Sequence, residues 1–431
     1  MNLHSLHRQF VDECNQQACT DTRKIIPGAM FFALRGENFN GNDYAKEALE
    51  FGCKYAVVDD QKFAGEFGYV VVTDVLETLQ DLALFNRQKY NIPVLAIAGS
   101  NGKTSTKDLV HAAAHTQKDV VATEGNLNNH IGVPMTLLRI SPETDLAIIE
   151  MGANALGETK ALCELAEPTH GIITNFGRDH LGLFGGVAGV IEANLELYTY
   201  LKEHDGFAFV NGSDDMLIKY SADLQRTLYG PDTEGMFKLT STSSVPCLNV
   251  QWSHIGIIKT KLVGEYNLMN VAAAIAAASH FGITNENIIK GIEAYDPKNN
   301  RSEIYYASNN NIVIKDFYNA NASSMEAAIL GAEKIKEDRK LVLILGDMFE
   351  LGEYAQQEHQ YVIDCALGVF PDRLIVAGEN FYQSNAPEAQ KFKTTQEAVE
   401  YLNNQEIHDS VILIKSSNGM NFQRLFDSQS W

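Results

Sequence analysis

The run Ala96-Ile-Ala-Gly-Ser-Asn-Gly-Lys-Thr-Ser-Thr106 constrains this chain more than any other stretch. It sets a glycine-rich turn, one lysine and a run of hydroxyls directly behind the apolar segment Pro93 to Ala98. A strand that ends in such a turn and opens into a helix points backbone N–H groups and a helix N-terminus at an anion. On this reading Gly99, Ser100, Asn101 and Gly102 form a phosphate cradle, Lys103 reaches the outer phosphates, the Thr104 hydroxyl ligates Mg²⁺ and Ser105 extends the polar first turn. The expected ligand is a nucleoside triphosphate. The position five before Gly102 is Ile97, so the full G-x-x-x-x-G-K-[ST] pattern is not met. An ordinary strand-to-helix turn with a solvated lysine is the alternative.

At 431 residues the chain is too long for one core and suggests about three domains. Its formal net charge of −21 disfavours nucleic acid or an anionic membrane as a bulk partner, so an anionic substrate needs local positive groups. The six cysteines are scattered without a C-x-x-C pair, which fits free thiols in a reducing cytoplasm. The first ten residues lack a signal-peptide core and no apolar stretch of about 18 residues occurs. A cytoplasmic monomer with no membrane insertion, acting on small molecules, is expected.

The chain reads as three α/β parts: residues 1–88, 89–300 and 301–431. The first carries short strands at Met30 to Leu34, Tyr55 to Val58 and Tyr69 to Val72, with helices at Asp43 to Phe51 and Leu76 to Tyr90. In the second, the phosphate-loop strand, Leu146 to Glu150, Gly171 to Asn175 and Phe207 to Asn211 alternate with helices, which predicts a mainly parallel sheet covered by helices. The alanine-rich segment Asn270 to Phe281 reads as a buried helix. A hinge is expected in Asp296 to Ser302, followed by strands near Ile312 to Lys315, Leu341 to Leu345, Arg373 to Ala377 and Val411 to Lys415.

Candidate chemistry sits at strand ends, where open α/β sheets place ligands. Glu150 ends a buried strand on a carboxylate and is the second expected Mg²⁺ ligand. His180 follows the strand ending at Asn175 and can reach the same edge, while Asp179 orients the loop; a solvated loop histidine is the alternative. Gly125-Asn-Leu-Asn-Asn-His-Ile-Gly-Val-Pro134 suits a polar, partly anionic ligand or, alternatively, an amide-stitched turn. Asp316-Phe-Tyr-Asn-Ala-Asn321 is a further polar segment, or merely a helix N-cap.

These segments, together with Thr20-Asp-Thr-Arg23, Leu34-Arg-Gly-Glu-Asn-Phe-Asn-Gly41, Glu150-Met-Gly-Ala-Asn154, Gly264-Glu-Tyr-Asn267 with Asn270, Asn299-Asn-Arg-Ser302 and Gly346-Asp-Met-Phe-Glu-Leu-Gly352, resemble the Mur ligases over nearly the whole chain and in the family's order. The resemblance implies a phosphate-loop domain between a small nucleotide-sugar module and a C-terminal Rossmann-like α/β domain. It implies an ATP- and Mg²⁺-dependent ligase adding D-alanyl-D-alanine to UDP-N-acetylmuramoyl-tripeptide through an acyl phosphate, a step of peptidoglycan synthesis.

The implied roles are specific. Lys103, His180 and Arg301 are catalytic; Thr104, Glu150 and His180 serve Mg²⁺. Asn267, Asn270, Arg301, Asp316, Tyr318 and Asn319 contact nucleotide. Thr22, Arg23, Arg35, Gly36, Asn38 and Gly41 face the uridine diphosphate, and Asn126, Asn128 and Asn129 face substrate. The sequence also departs from the family pattern. Asn194 stands where most members carry a carbamylated lysine, Gly182-Leu183 replaces Glu-Gly, Ala322 replaces a proline and Asn418 an arginine. A related carboxylate–amine ligase with another substrate, or a degenerate nucleotide-sugar-binding member, are the alternative readings.

Overall fold

The computed structural model describes residues 2–307, 309–429 and 431. Apolar runs alternating with helices build three α/β units. In the first, a four-stranded parallel sheet runs in the order Ala18–Cys19, Met30–Phe32, Tyr55–Val58, Tyr69–Val71. A hairpin pairs Arg35–Gly36 with Phe39–Asn40.

The central unit holds a six-stranded sheet, all parallel, in the order Gln225–Tyr229, Phe207–Asn211, His170–Ile173, Val94–Ala98, Leu146–Glu150, Val120–Ala122. Side chains alternate across it with period two. Leu95, Ile97, Leu146, Ile148 and Ile172 face the helices Lys103–Ala114 and Leu268–His280. Val94, Ala96, Ala98, Ile149 and Ile173 face the core built with the helices Gly132–Leu137, Glu158–Ala166 and Val187–Glu203. Helix Leu268–His280 is buried along most of its length, as its alanine-rich composition predicts. The strand Val94–Ala98 is flanked on opposite sides by strands that follow it in sequence, so a crevice opens at its C-terminal end, where the phosphate loop lies.

One element was not anticipated from the sequence. Leu239–Ser243, Asn249–Trp252 and Gly256–Lys259 form an antiparallel sheet with Trp252 fully buried beneath it and its Nε1 donating to Met236 O. Its strands are short and its first strand is mostly Ser and Thr, so no apolar run announces it.

In the third unit, Glu303–Tyr306 is antiparallel to Ile312–Asp316 and the rest is parallel: Ile312–Asp316, Ser410–Lys415, Lys340–Gly346, Arg373–Ala377, Gln390–Phe392. Helices cover both faces. The segment leading into it contains Asn299, Asn300 and Ser302 at φ +60°, +57° and +54°, a run of left-handed residues that interrupts regular structure.

The first two units share a core. Helix Val75–Gln88 ends on Asn86, which donates to Leu137 O and Ile140 O, and on Arg87, which donates to Ala166 O and Glu167 O. A buried amide and a buried guanidinium thereby satisfy carbonyls at the C-terminal ends of two central helices.

At the other side of the central sheet, His170 and His280 contact through Nε2 atoms 3.1 Å apart, among Phe207, Phe209 and Phe281. Burial, with His280 beside it, pushes the His170 imidazole down from 6.5 to about 4. Between those values the unfolded chain takes up a proton that the folded one refuses, so stability falls as pH drops from about 6.5 towards 4. Replacing His170 with Asn should flatten that part of the stability profile, measured by urea unfolding at pH 7, 5.5 and 4.5; an unchanged slope would remove this histidine from the acid response.

Candidate functional site

The phosphate loop holds its shape through contacts from two neighbours. Ser100 N donates to Asn175 O (3.1 Å), Asn101 N to Asn175 Oδ1 (3.1 Å), Asn175 Nδ2 to Asn101 O (2.9 Å) and Gly177 N to Ser100 Oγ (2.8 Å). Gly99 and Gly102 adopt φ +120° and +82°, and a Cβ on either would lie within 2.4 Å of Thr174 Oγ1 or Asn270 Oδ1. Gly102 is the N-cap of helix Lys103–Ala114 and offers no side chain, which leaves the first-turn amides for a ligand. Lys103 lies across the loop, its Nζ donating to Gly99 O (2.5 Å) and Ser100 O (3.2 Å). Ser105 follows in the first turn of the same helix.

Glu150, nearly fully buried, accepts from Thr104 Oγ1 (3.1 Å) and Asn128 Nδ2 (2.8 Å), both on Oε1. Its Oε2 is buried without a partner. A buried carboxylate oxygen with no donor, beside a threonine hydroxyl at the phosphate loop, is the donor set a hard divalent cation takes. Thr104 and Glu150 therefore fit Mg²⁺.

His180 meets the third unit. Its Nδ1 lies 2.5 Å from Glu350 Oε2 of the third unit, its backbone is left-handed at φ +49°, and Gly182 N donates to Glu350 O (3.1 Å). Among the described residues no three His, Cys, Asp or Glu side chains converge as a metal cluster. Beside it Arg178 pairs with Glu358 and lies over the Tyr361 ring. Burial pushes the Glu358 carboxyl up, and Arg178 opposes that shift.

A cavity of about 160 Å³ joins Thr104, Asp108 and Gly125 to Tyr295, Arg301 and Tyr318, with the Arg301 guanidinium 3.7 Å from the centre of the Tyr318 ring. Arg301 and Tyr318 thus line the same cavity as Thr104 and Asp108 of the phosphate-loop helix.

Other expected site residues already hold partners within the protein. Asn267 and Asn270 are buried one layer behind the loop: Asn270 accepts from Thr106 Oγ1 (3.2 Å) and donates to Asn267 Oδ1 (2.8 Å), and Asn267 donates to Val263 O. They brace the loop. Asp316 is engaged by Lys415 Nζ (2.6 Å) and Ser302 N, and Asn319 O accepts from the same lysine, so both fix their own loop to the sheet. Asn129 Oδ1 accepts from Ile131 N and Gly132 N just before helix Gly132–Leu137, Asn128 Nδ2 donates to Glu150, and Asn126 O accepts from Asn128 N, so amides stitch this turn.

In the first unit, Arg23 pairs with Asp21 (2.8 Å) beside Thr22, and Arg35 with Asp59 (2.7 Å). Both guanidiniums are already neutralised locally. Asp59 is further held by Asn42. Gly36 and Asn38 lie in the hairpin, and Gly41 N donates to Leu34 O. Asn194 turns its amide back on its own helix, donating to Val190 O (2.8 Å).

Sequence reasoning gave no role to Asn175, Asp59, Glu350 or Glu358. The N-cap alternative for the segment ending at Asn321 holds, since Asn321 N-caps helix Ala322–Lys336, but its Nδ2 also donates to Asn101 Oδ1 (2.8 Å), a partner with no local signal.

Comparison with known proteins matches three family models in sequence order. These are Mur ligase family, catalytic domain (residues 18–97), Mur ligase middle domain (97–278) and Mur ligase, glutamate ligase domain (300–418). UDP-N-acetylmuramoyl-tripeptide–D-alanyl-D-alanine ligase of Bacillus subtilis strain 168 is 36% identical over 364 residues, spanning 82% of this chain and 78% of that protein. The Escherichia coli K12 protein of the same name is 32% identical, spanning 84% and 80%. A crystal structure of MurF from Acinetobacter baumannii superposes with a TM-score of 0.85 at 28% identity, covering 95% of this chain and 92% of that one. MurF from Thermotoga maritima in complex with ADP shares the fold at 20% identity, with a TM-score of 0.83 and 97% of each chain covered.

The bracing role of Asn270 is testable. Asn270→Ala leaves Asn267 Oδ1 and the Thr106 hydroxyl buried without partners, at a cost of about 2 kcal/mol in urea unfolding, together with weaker binding of an ATP analogue. Weaker binding at unchanged stability would instead put Asn270 in direct contact with nucleotide.

Proposed function

The chain belongs to the Mur ligase family, and we propose that it adds D-alanyl-D-alanine to UDP-N-acetylmuramoyl-tripeptide with cleavage of ATP, the activity for which its curated relatives are named. The observation that carries this reading is the 36% identity, over four fifths of the chain, to a ligase of that name. The crevice supports it: Thr104, hydrogen-bonded to Glu150 just after the phosphate loop, lines one cavity with the Arg301–Tyr318 pair. The three parts are taken as residues 1–88, 89–300 and 301–431. In a cytoplasmic monomer, the segments around Thr22–Arg23 and Arg35–Gly41 take the nucleotide-sugar end; among the described residues no helix is long and apolar enough to cross a membrane.

In the reaction, an oxygen of the tripeptide carboxylate bonds to the γ-phosphorus of ATP as the bond to the ADP oxygen breaks, giving an acyl phosphate and ADP. The neutral amine of D-alanyl-D-alanine then attacks the acyl carbon. Its C–N bond forms, phosphate leaves with the C–O electron pair, and the amine proton passes to solvent or phosphate. Little covalent chemistry falls to the protein, so positioning and charge neutralisation dominate. Lys103 exchanges the carbonyls of Gly99 and Ser100 for phosphate oxygens, which are stronger, charged acceptors. Thr104 and Glu150 would hold Mg²⁺, which would neutralise phosphate charge when bound. His180, engaged with Glu350, contributes to seating the third unit and to excluding water from the acyl phosphate.

The reading is tested by phosphate release from ATP with UDP-linked tripeptide, with and without D-alanyl-D-alanine; release should require both. Release that ignores the dipeptide would refute the assigned acceptor. Lys103→Ala should lower turnover by about 100-fold or more, and near-normal turnover would remove the phosphate-loop reading. Asn194 cannot form a carbamate, so activity should be insensitive to stripping of carbon dioxide. Loss of activity on stripping, with recovery on adding bicarbonate, would show that another, carbamylated lysine exists.

A further inference from the structure

Among the described residues, one hydrogen bond from the third unit reaches the phosphate loop itself: Asn321 Nδ2 to Asn101 Oδ1, 2.8 Å. Both side chains are fixed before they meet. Asn321 Oδ1 accepts from Ser324 N (2.9 Å) while Asn321 N donates to Ser324 Oγ (3.1 Å), a capping box that locks the amide at the start of helix Ala322–Lys336 and aims Nδ2 outward. Asn101 is tied to Asn175 through both its N–H and its carbonyl, so its backbone cannot drift while its side chain points across the boundary. A bond between two such groups costs little side-chain entropy and breaks when the register slips by about 1 Å.

We propose that Asn321 is a positioning residue for the ligase reaction: through Asn101 it registers the third unit on the loop that takes the triphosphate, so that nucleotide binding and seating of that unit reinforce each other. Reciprocity follows from linkage, since whatever factor the seated unit adds to nucleotide affinity, nucleotide adds to seating. The same central segment extends the connection. Asn175 and Gly177 hold the loop, and Arg178, His180 and Gly182 immediately after them meet Glu358 and Glu350. Loop and interface are thus two ends of one short stretch of chain. The proposal rests on the phosphate loop binding ATP.

Asn321→Ser isolates the amide, because serine caps a helix about as well as asparagine but cannot span to Asn101. The Kd of a non-hydrolysable ATP analogue, measured by calorimetry, should rise about fivefold, the worth of one neutral hydrogen bond. The KM for ATP should rise with it, that for the UDP-linked substrate should stay unchanged, and compaction on nucleotide addition in small-angle scattering should shrink. The melting temperature without nucleotide should hold. In a double-mutant cycle with Asn101→Ala the affinity losses should not add, because both remove the same bond. Unaltered affinity and compaction in Asn321→Ser, additive losses in the cycle, or a melting temperature that falls in step with affinity would each overturn the proposal. Unmodified protein that binds no nucleotide would overturn the ATP reading and this inference with it.

Discussion

Asn175 is the residue on which the rest of the site depends. It meets the phosphate loop with its carbonyl, its side-chain oxygen and its side-chain nitrogen, fixing Ser100 and Asn101 from one side while Asn270 closes on Gly102 from the other. Ser100 N and Asn101 N are thereby spent on Asn175, so the amides left for an anion are those of the first turn of helix Lys103–Ala114, and the loop takes its shape from neighbours rather than from its own hydrogen bonds. The neighbours are supplied by the adjacent strand His170–Ile173 and by the buried helix Leu268–His280. The apolar core is thus what places the polar brace.

The interface between the central and third units joins an apolar seam, in which Leu181, Val190 and Val263 enter the core of the third unit, to one ion pair. Arg178 and Glu358 come from different units, and Glu358 is almost wholly removed from water. Separating the units rehydrates both charges, so the pair adds little net stability to the seated arrangement. It penalises wrong arrangements instead, because a seat that misses Arg178 leaves a carboxylate buried alone. Register, more than affinity, is what such a pair supplies.

Much of this architecture was legible before the structure. The strands Leu146–Glu150, Phe207–Asn211 and Arg373–Ala377 fall where their apolar runs predict, and the phosphate loop follows its strand as expected. The antiparallel sheet at 239–259 was not legible, because its strands are short and its first edge strand, rich in Ser and Thr, carries no hydrophobic pattern. Within the site, asparagine was the least readable residue. The same amide can meet a ligand, cap a helix or brace a loop, and which it does is decided by partners far along the chain: Asn270 answers to Thr106 and Asn321 to Asn101. The arginines differ in this respect. Asp21 stands two residues from Arg23, within one local stretch, whereas Asp59 is 24 residues from Arg35.

The buried end of helix Val75–Gln88 bears on how the chain is made. Arg87 finds its acceptor at Ala166, 79 residues downstream. At roughly 5–20 residues per second of synthesis, that carbonyl is added some 4–16 s after the guanidinium that needs it. Until then the growing polypeptide carries an amphipathic helix whose Arg87 has only the nearby Tyr90 O and water to donate to. The N-terminal sheet can therefore form early on the ribosome, but its closing helix is secured only once the strand-and-helix pairs of the next unit have been translated.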